Sequence, residues 1–245
     1  MSTPDIGEQA LSKAVEIGLE SQLDKVDNLD VDIRADPLEL AQGKLESVIV
    51  DGKGMVMKKE LRAERVILQT DSINIDPLKA ALGKIKLETS TNAETKIVLL
   101  ESDLQQAFNS EYIKDKLKNQ KVNLDGETVT VNASNVKFAL PGEGKISLKA
   151  ELEIVESQQT KQIALLAKPT INEQGNKIVI EDVEYPDGEN TDPQLTDALL
   201  RSTEELLDLR NFELGKMTLH IDRLDIGQGK MTMAARTTIQ EFPNS

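Results

Sequence analysis

A chain of 245 residues can fold as one large domain or two small ones, and a formal net charge of −14 leaves it little driving force for binding nucleic-acid phosphates. Only 2% of its residues are aromatic, against 38% apolar and 29% charged, so the core must be built from Leu, Ile, Val and Ala. Aromatic stacking on single-stranded nucleic acid is disfavoured too. The chain has no cysteine, which removes disulfides, thiolate nucleophiles and thiolate metal sites.

The first expected element is a helix. Ser2, Thr3, Pro4 and Asp5 supply cap chemistry, and Asp5 with Glu8 has the spacing of a capping box. Leu11, Ala14, Val15, Gly18 and Leu19 follow on one helical face. Strand patterns begin near Val26, with Val31 and Ile33 alternating with acids. Gly43 to Met57 is strand-like, and Gly52 and Gly54 predict a turn or bulge within it. Alternation resumes at Val66, Leu68 and Thr70, at Ile73 and Ile75, at Ile85 and Leu87, and from Lys96 to Leu100.

A repeat lies in this part of the chain. Asp36-Pro37-Leu38, four residues, then Gly43-Lys44-Leu45 recurs 40 residues later as Asp76-Pro77-Leu78 and Gly83-Lys84-Ile85. Asp caps, Pro opens a helical turn and Gly ends it, so each copy predicts a one-turn connector between strands. Neither copy is a phosphate loop, because the glycine spacing and the hydroxyl residue after Lys are missing.

A second helix is expected from Glu101, with Ser102 and Gln105 as a capping box and Leu104, Ala107 and Phe108 on one face. Ile113 and Leu117 suggest another short helix. Long strands come next. Val129 and Val131 alternate, and Val136, Phe138 and Leu140 resume out of phase, which predicts a bulge near Ala133 to Asn135. Pro141 to Gly144 is a hairpin turn, and Ile146, Leu148, Ala150, Leu152 and Ile154 alternate cleanly. Ile163 to Pro169 and Ile178 to Tyr185 read as further strands. A third helix is predicted from Pro193 to about Leu209, with Leu195, Ala198, Leu199 and Leu206 on one face. A hairpin ends the chain, with Met217, Leu219 and Ile221 on one arm and Met231, Met233, Ala235 and Ile239 on the other.

Strands of ten or more residues reach roughly 35 Å, and period-2 alternation gives each one a dry face. A sheet with one dry face must curl on itself or wrap a helix, and the first and third helices have the stripes to be wrapped. The fold class is therefore α+β: a long, curved antiparallel β-sheet wrapped around amphipathic helices. Residues 1–245 are expected to form a single elongated domain, with sub-units at 1–100 and 101–245 as the natural division. An interior of this kind, lined by Leu, Ile and Val, can hold an acyl chain.

Catalytic chemistry is sparse. One histidine, His220, falls on the polar side of a strand, and one His without Cys does not make the usual zinc sets. No Gly-x-Ser-x-Gly elbow accompanies it. The acidic stretch Glu181 to Asp192 lacks the spacing of an EF-hand loop. Lys58 and Lys59, with Arg62 and Arg65, are the nearest approach to a basic patch and read as a solvated rim. No catalytic residue, metal or cofactor is expected, and the chain is not read as an enzyme. No basic stretch leads into an apolar one at the N-terminus, and no apolar run approaches the length of a spanning helix.

The opening helix followed by Leu29-Asp30-Val31-Asp32-Ile33, the Pro37-Leu38 to Gly43-Lys44-Leu45-Glu46-Ser47-Val48 step with Asp51-Gly52-Lys53-Gly54, and the segment Val98 to Phe108 resemble the LmeA-like phospholipid-binding proteins. The resemblance spans nearly the whole chain. It implies a tubular lipid-binding type of fold and a phospholipid or fatty acyl ligand, and brings no catalytic residues. Leu11, Val15, Leu104, Phe108 and Phe138 are the expected lipid-binding residues, lining an apolar groove between sheet and helices. The expected location is cytoplasmic or peripheral to a membrane, with peripheral membrane contact and no nucleic-acid partner. The alternative is a protein-interaction or structural module with a fully packed core. The sequence carries no sign of oligomeric state.

Overall fold

The computed structural model describes residues 6–57, 60–76, 87–124, 126–186, 192–203 and 216–241. Helix α1 is Ile6–Glu20 and strand β1 is Asn28–Arg34. A one-turn helix α2, Pro37–Leu40, leads through β2, Lys44–Leu45, into β3, Ser47–Met57. Strands β4, Leu61–Thr70, β5, Ile73–Asn74, and β6, Thr91–Leu100, follow. Helices α3, Glu101–Phe108, and α4, Glu111–Leu117, separate these from β7, Gln120–Leu124, β8, Glu127–Gly142, β9, Lys145–Ile154, β10, Gln159–Ile171, and β11, Ile178–Glu184. Helix α5 is Pro193–Thr203, and the hairpin of β12, Lys216–Gly227, and β13, Lys230–Glu241, completes the described chain.

The architecture is α+β with a strongly curled antiparallel sheet. It is laid down as a six-stranded sheet in the order β1-β3-β4-β6-β13-β12 and a five-stranded sheet in the order β11-β10-β9-β8-β7. The C-terminal hairpin joins the first sheet, where β13 pairs with β6 from Lys230 against Leu100 to Ile239 against Thr91. The free edge of β12 meets the second sheet: Ile221 N–H donates to the Gly175 carbonyl at 2.6 Å, and Gly144 N–H donates to Ile226 at 3.1 Å.

Alternation is converted directly into a core. Ile146, Ala150, Leu152 and Ile154 of β9 are buried, as are Val131, Val136, Phe138 and Leu140 of β8. The phase change between those β8 sets is a bulge: the β8–β9 register shifts between Ser134 and Lys137, and Asn135 takes φ 50°. Asn tolerates that left-handed conformation better than most residues do.

The first connector behaves as its sequence predicts. The Asp36 side chain accepts from the Leu38 and Glu39 N–H groups, Pro37 opens the turn, and Gly43 at φ 79° ends it. The β2 strand after it pairs with β5, which precedes the second copy of the repeat. That second connector, at 77–86, lies outside the described residues, as do Asp5, Lys58, Lys59 and Leu206.

Three local readings are corrected. Gly52 and Gly54 do not turn the chain: β3 runs through both and pairs with β4 from Ile49 to Met57. Gly54 is there because its φ of 58° and the Asp27 carboxylate beside it leave no room for a side chain, a Cβ lying 1.9 Å from Asp27 Oδ2. Ser102 and Gln105 form no capping box, since the α3 N-cap is Leu100 and makes no side-chain cap bond. Ala14 and Gly18 are exposed on α1, whose packed apolar residues are Leu11, Val15 and Leu19.

Candidate functional site

The inner face of the six-stranded sheet can be followed strand by strand. Val31 pairs with Val50, Val50 with Leu68, Leu68 with Thr95, Thr95 with Ala235 and Ala235 with Ile221. The next inward row runs Leu29, Gly52, Val66, Ile97, Met233, Leu224. One side of this face is covered by α1. Leu11, Val15 and Leu19 pack on a cluster that includes Val31, Ile33, Val48 and Ile239. Two acids of α1 also serve the edge strand: Glu16 accepts from Val31 N–H, and buried Glu8 accepts from Ala35 N–H at 2.8 Å. These bonds occupy backbone donors that an edge strand would otherwise present to another chain.

The other side is closed by α3 and the second sheet. Leu104, Phe108, Leu99 and Leu224 pack on the cluster of Phe138, Leu140, Ile146, Leu165, Ala167, Ile226 and Met231. The Phe108 and Phe138 rings stack with centroids 5.0 Å apart. Helix α3 is fastened to β8 by polar side chains, among them Gln105, which the sequence suggested as a capping partner. Gln105 accepts from Phe138 N–H at 2.7 Å and donates to the Val136 carbonyl at 2.9 Å. Glu101 accepts from Leu140 N–H at 2.6 Å, and Asn109 donates to the same Val136 carbonyl at 2.8 Å. Helix α3 is therefore the helix set between the two sheets. Helix α5 instead packs Leu195, Ala198 and Leu199 on the far cluster of the second sheet, with Val122, Val131 and Leu152.

Between these two covered ends, Val66, Ile97 and Met233 are only half-buried and belong to none of the three core clusters. Met55, also half-buried, lies over Gly52, occupying the space that a side chain there would fill. The result is an apolar band across β3, β4, β6 and β13. Three strand spacings give it a width of ~14 Å. Of the five expected lipid-binding residues, Leu104, Phe108 and Phe138 come together on the α3 side, and Leu11 and Val15 stand on the α1 side. Sequence alternation places the residues of the band on strands but does not mark them as a site; only the register and their incomplete burial single them out.

Beyond Val66, the same alternation along β4 brings Glu64 and Arg62. Arg62 bonds Asp103 of α3 at 3.0 Å, Glu64 at 2.9 Å and Asp27 at 3.3 Å. Asp103 is 8% exposed, Arg62 27%, Glu64 42% and Asp27 49%. Hydrogen bonds to Glu64 first, then its other acidic neighbours, hold the Arg62 guanidinium charged. Arg65 pairs with Asp51 at 2.6 Å on the outer face, so Arg62 and Arg65 are both ion-paired.

The outer face is polar. A cleft of about 710 Å³ there is lined by Asn92, Glu94, Asn176, His220, Arg236 and Thr238, among others. A second, of about 390 Å³, lies beside Gln69, Lys96 and Asp222. His220 stacks against Gly175, with Nε2 3.5 Å from Asp222, and Arg236 holds Asp222 below the usual carboxylate range by hydrogen bonding. Among the described residues no group of three or more His, Cys, Asp or Glu is placed to hold a metal ion. No described helix is long and apolar enough to cross a membrane.

Neither the curated proteins nor the solved structures contain a match to this chain. The sequence model of one family does match, over residues 3–236, nearly the full length. The chain, with its curled antiparallel sheet and helix-lined inner face, belongs to the LmeA-like phospholipid-binding family.

Proposed function

We propose that this chain is a non-catalytic phospholipid-binding protein that lays an acyl chain along the apolar band of its inner face. The row of Val66, Ile97 and Met233 carries the reading, because it is apolar yet only partly covered between two closed ends. Unfilled apolar surface of that kind stabilises whatever apolar body covers it, at about 25 cal/mol per Å². Its ~14 Å width is close to the ~15 Å that one leaflet of hydrocarbon spans. In this reading Leu11 and Val15 wall one side of the band. Leu104 and Phe108 wall the other, and Phe138 backs Phe108. Met55 and Met233 are unbranched and polarisable, which suits them to acyl chains of differing shape. Loading and release take place through peripheral contact with a membrane. Family membership supports phospholipid over free fatty acid as the ligand. The lone histidine, on the opposite face against Gly175, has no part in it.

The test is native purification, solvent extraction and mass spectrometry of the extract, followed by uptake of a fluorescent phospholipid. Stoichiometric lipid is expected from the wild type. Met233→Asp, which puts a charge into the half-exposed row, should lower uptake at least about tenfold while leaving the fold intact. No extractable lipid and no uptake by the wild type would refute the proposal.

A further inference from the structure

Resting on that reading, we propose that the Thr95 hydroxyl receives the carbonyl of the bound lipid's acyl linkage, so that the site takes acyl-linked phospholipids in preference to alkyl-linked ones. Thr95 stands on the inner face of β6, between Leu68 of β4 and Ala235 of β13. Two residues along the same strand is Ile97, the middle of the partly covered row. Two strand rises put the two positions ~7 Å apart. The row of Thr95 is also where the cluster under α1 gives way to the band: Leu68 packs on that cluster, whereas Val66 belongs to none.

The hydroxyl of Thr95 sets it apart. Among the described residues, Thr95 Oγ1 is the single buried side-chain oxygen or nitrogen without a hydrogen-bond partner. Other threonines facing the same interior are satisfied: Thr70 Oγ1 accepts from Val48 N–H at 2.9 Å, and Thr91 Oγ1 donates to the Ser72 carbonyl at 3.2 Å. A buried hydroxyl without a partner is costly to the fold, and it calls for an acceptor from outside the chain. Thr95 as a residue is half-buried, like Ile97 beside it, so it belongs to the surface that a ligand in the row would cover. One rotamer step exchanges the places of its methyl and its hydroxyl. The surroundings select the acceptor. Leu68, Ala235, Ala93 and Ile97 flank Thr95 on this face, and none is charged. A phosphate or carboxylate would lose its water there with no adjoining cation, and one hydroxyl does not offset that cost. A neutral carbonyl needs no counter-charge and accepts what a hydroxyl donates. In a phospholipid that carbonyl heads the acyl chain, next to the apolar tail laid on the row.

The experiment offers vesicles holding equimolar diacyl and dialkyl phosphatidylcholine of matched chain length, which differ only in their carbonyls. Lipid bound to the re-isolated protein is then quantified by mass spectrometry. One hydrogen bond is worth about fivefold in binding, so the wild type should take the diacyl lipid with about that preference. Thr95→Val keeps the side-chain shape without the hydroxyl and should bring the preference close to one. Thr95→Ser keeps the hydroxyl and should restore most of it. Thermal melts of the lipid-free protein check for a purely structural role: the valine variant should melt no lower than the wild type, because it removes an unpaired polar group. Equal uptake of the two lipids by the wild type, preference for the dialkyl lipid, an unchanged preference in the valine variant, or a valine variant that melts lower overturns the carbonyl inference while leaving acyl-chain binding standing. Failure of the wild type to take up either lipid overturns the phospholipid reading itself, and this inference with it.

Discussion

Replacing Gln105 by Ala removes the acceptor for Phe138 N–H and one of two donors to the Val136 carbonyl. Val136 and Phe138 are 5% and 7% exposed, so water does not readily replace what is lost. The carbonyl keeps Asn109, 2.8 Å away, but the N–H is orphaned. An orphaned buried donor costs ~1–3 kcal/mol, and the better helix propensity of Ala returns only a few tenths. Asn109→Ala alone leaves the carbonyl with Gln105 and should cost less, about 0.5–1.5 kcal/mol. The double variant strips both donors from Val136, so its cost should exceed the sum of the singles by about 1 kcal/mol. Urea unfolding followed by far-ultraviolet circular dichroism gives the three values, provided the slope with denaturant is unchanged. A single Gln105→Ala effect below about 0.5 kcal/mol, or additivity within about 0.3 kcal/mol, would refute the claim that these side chains clamp α3 to β8. The clamp matters because α3 carries Leu104 and Phe108, one wall of the proposed groove.

Two glycines should respond oppositely to alanine. Gly54→Ala forces a Cβ to within 1.9 Å of Asp27 Oδ2 at φ 58° and should destabilise by ~1–3 kcal/mol. Gly18→Ala, in the exposed face of α1 with open space around it, should stabilise by ~0.5–1 kcal/mol, and thermal melts distinguish the two. For pH dependence, Arg65 holds the Asp51 carboxyl below its ordinary range and Arg236 does the same for Asp222, both chiefly by hydrogen bonding. Such groups contribute stability that is complete above the ordinary carboxylate pKa and is lost as pH falls through the depressed values. Relief of the −14 charge on acidification works in the opposite direction. The Asp51→Asn/Asp222→Asn variant separates the two effects. Its stability should fall less steeply than the wild type's between about pH 4 and 2, and an equal or steeper fall would remove these carboxylates from the account.

Much of the fold was legible because strand alternation and burial share a period. Ile146 through Ile154 alternate in sequence and line one face in the structure. The phase slip after Val131 became the register shift at Ser134, and the first Asp-Pro connector became a capped turn. Readings failed where a side chain had two uses of similar local plausibility. Gln105 has the spacing of a capping partner, yet its amide satisfies a buried bulge in a strand some 30 residues on, a contact no local pattern encodes. Gly52 and Gly54 have the composition of a turn, yet one makes room for Met55 and the other for Asp27.

The sequence by itself determined the element types, the aliphatic core and the poverty of acid–base chemistry, since composition and periodicity act residue by residue. Tertiary structure alone decided that the C-terminal hairpin completes the first sheet, that α3 stands between the sheets, and that Val66, Ile97 and Met233 fall into one row with incomplete cover. Those three residues are as apolar as their buried neighbours. What distinguishes them is whether another part of the chain arrives to cover them, and that is a property of the packed whole.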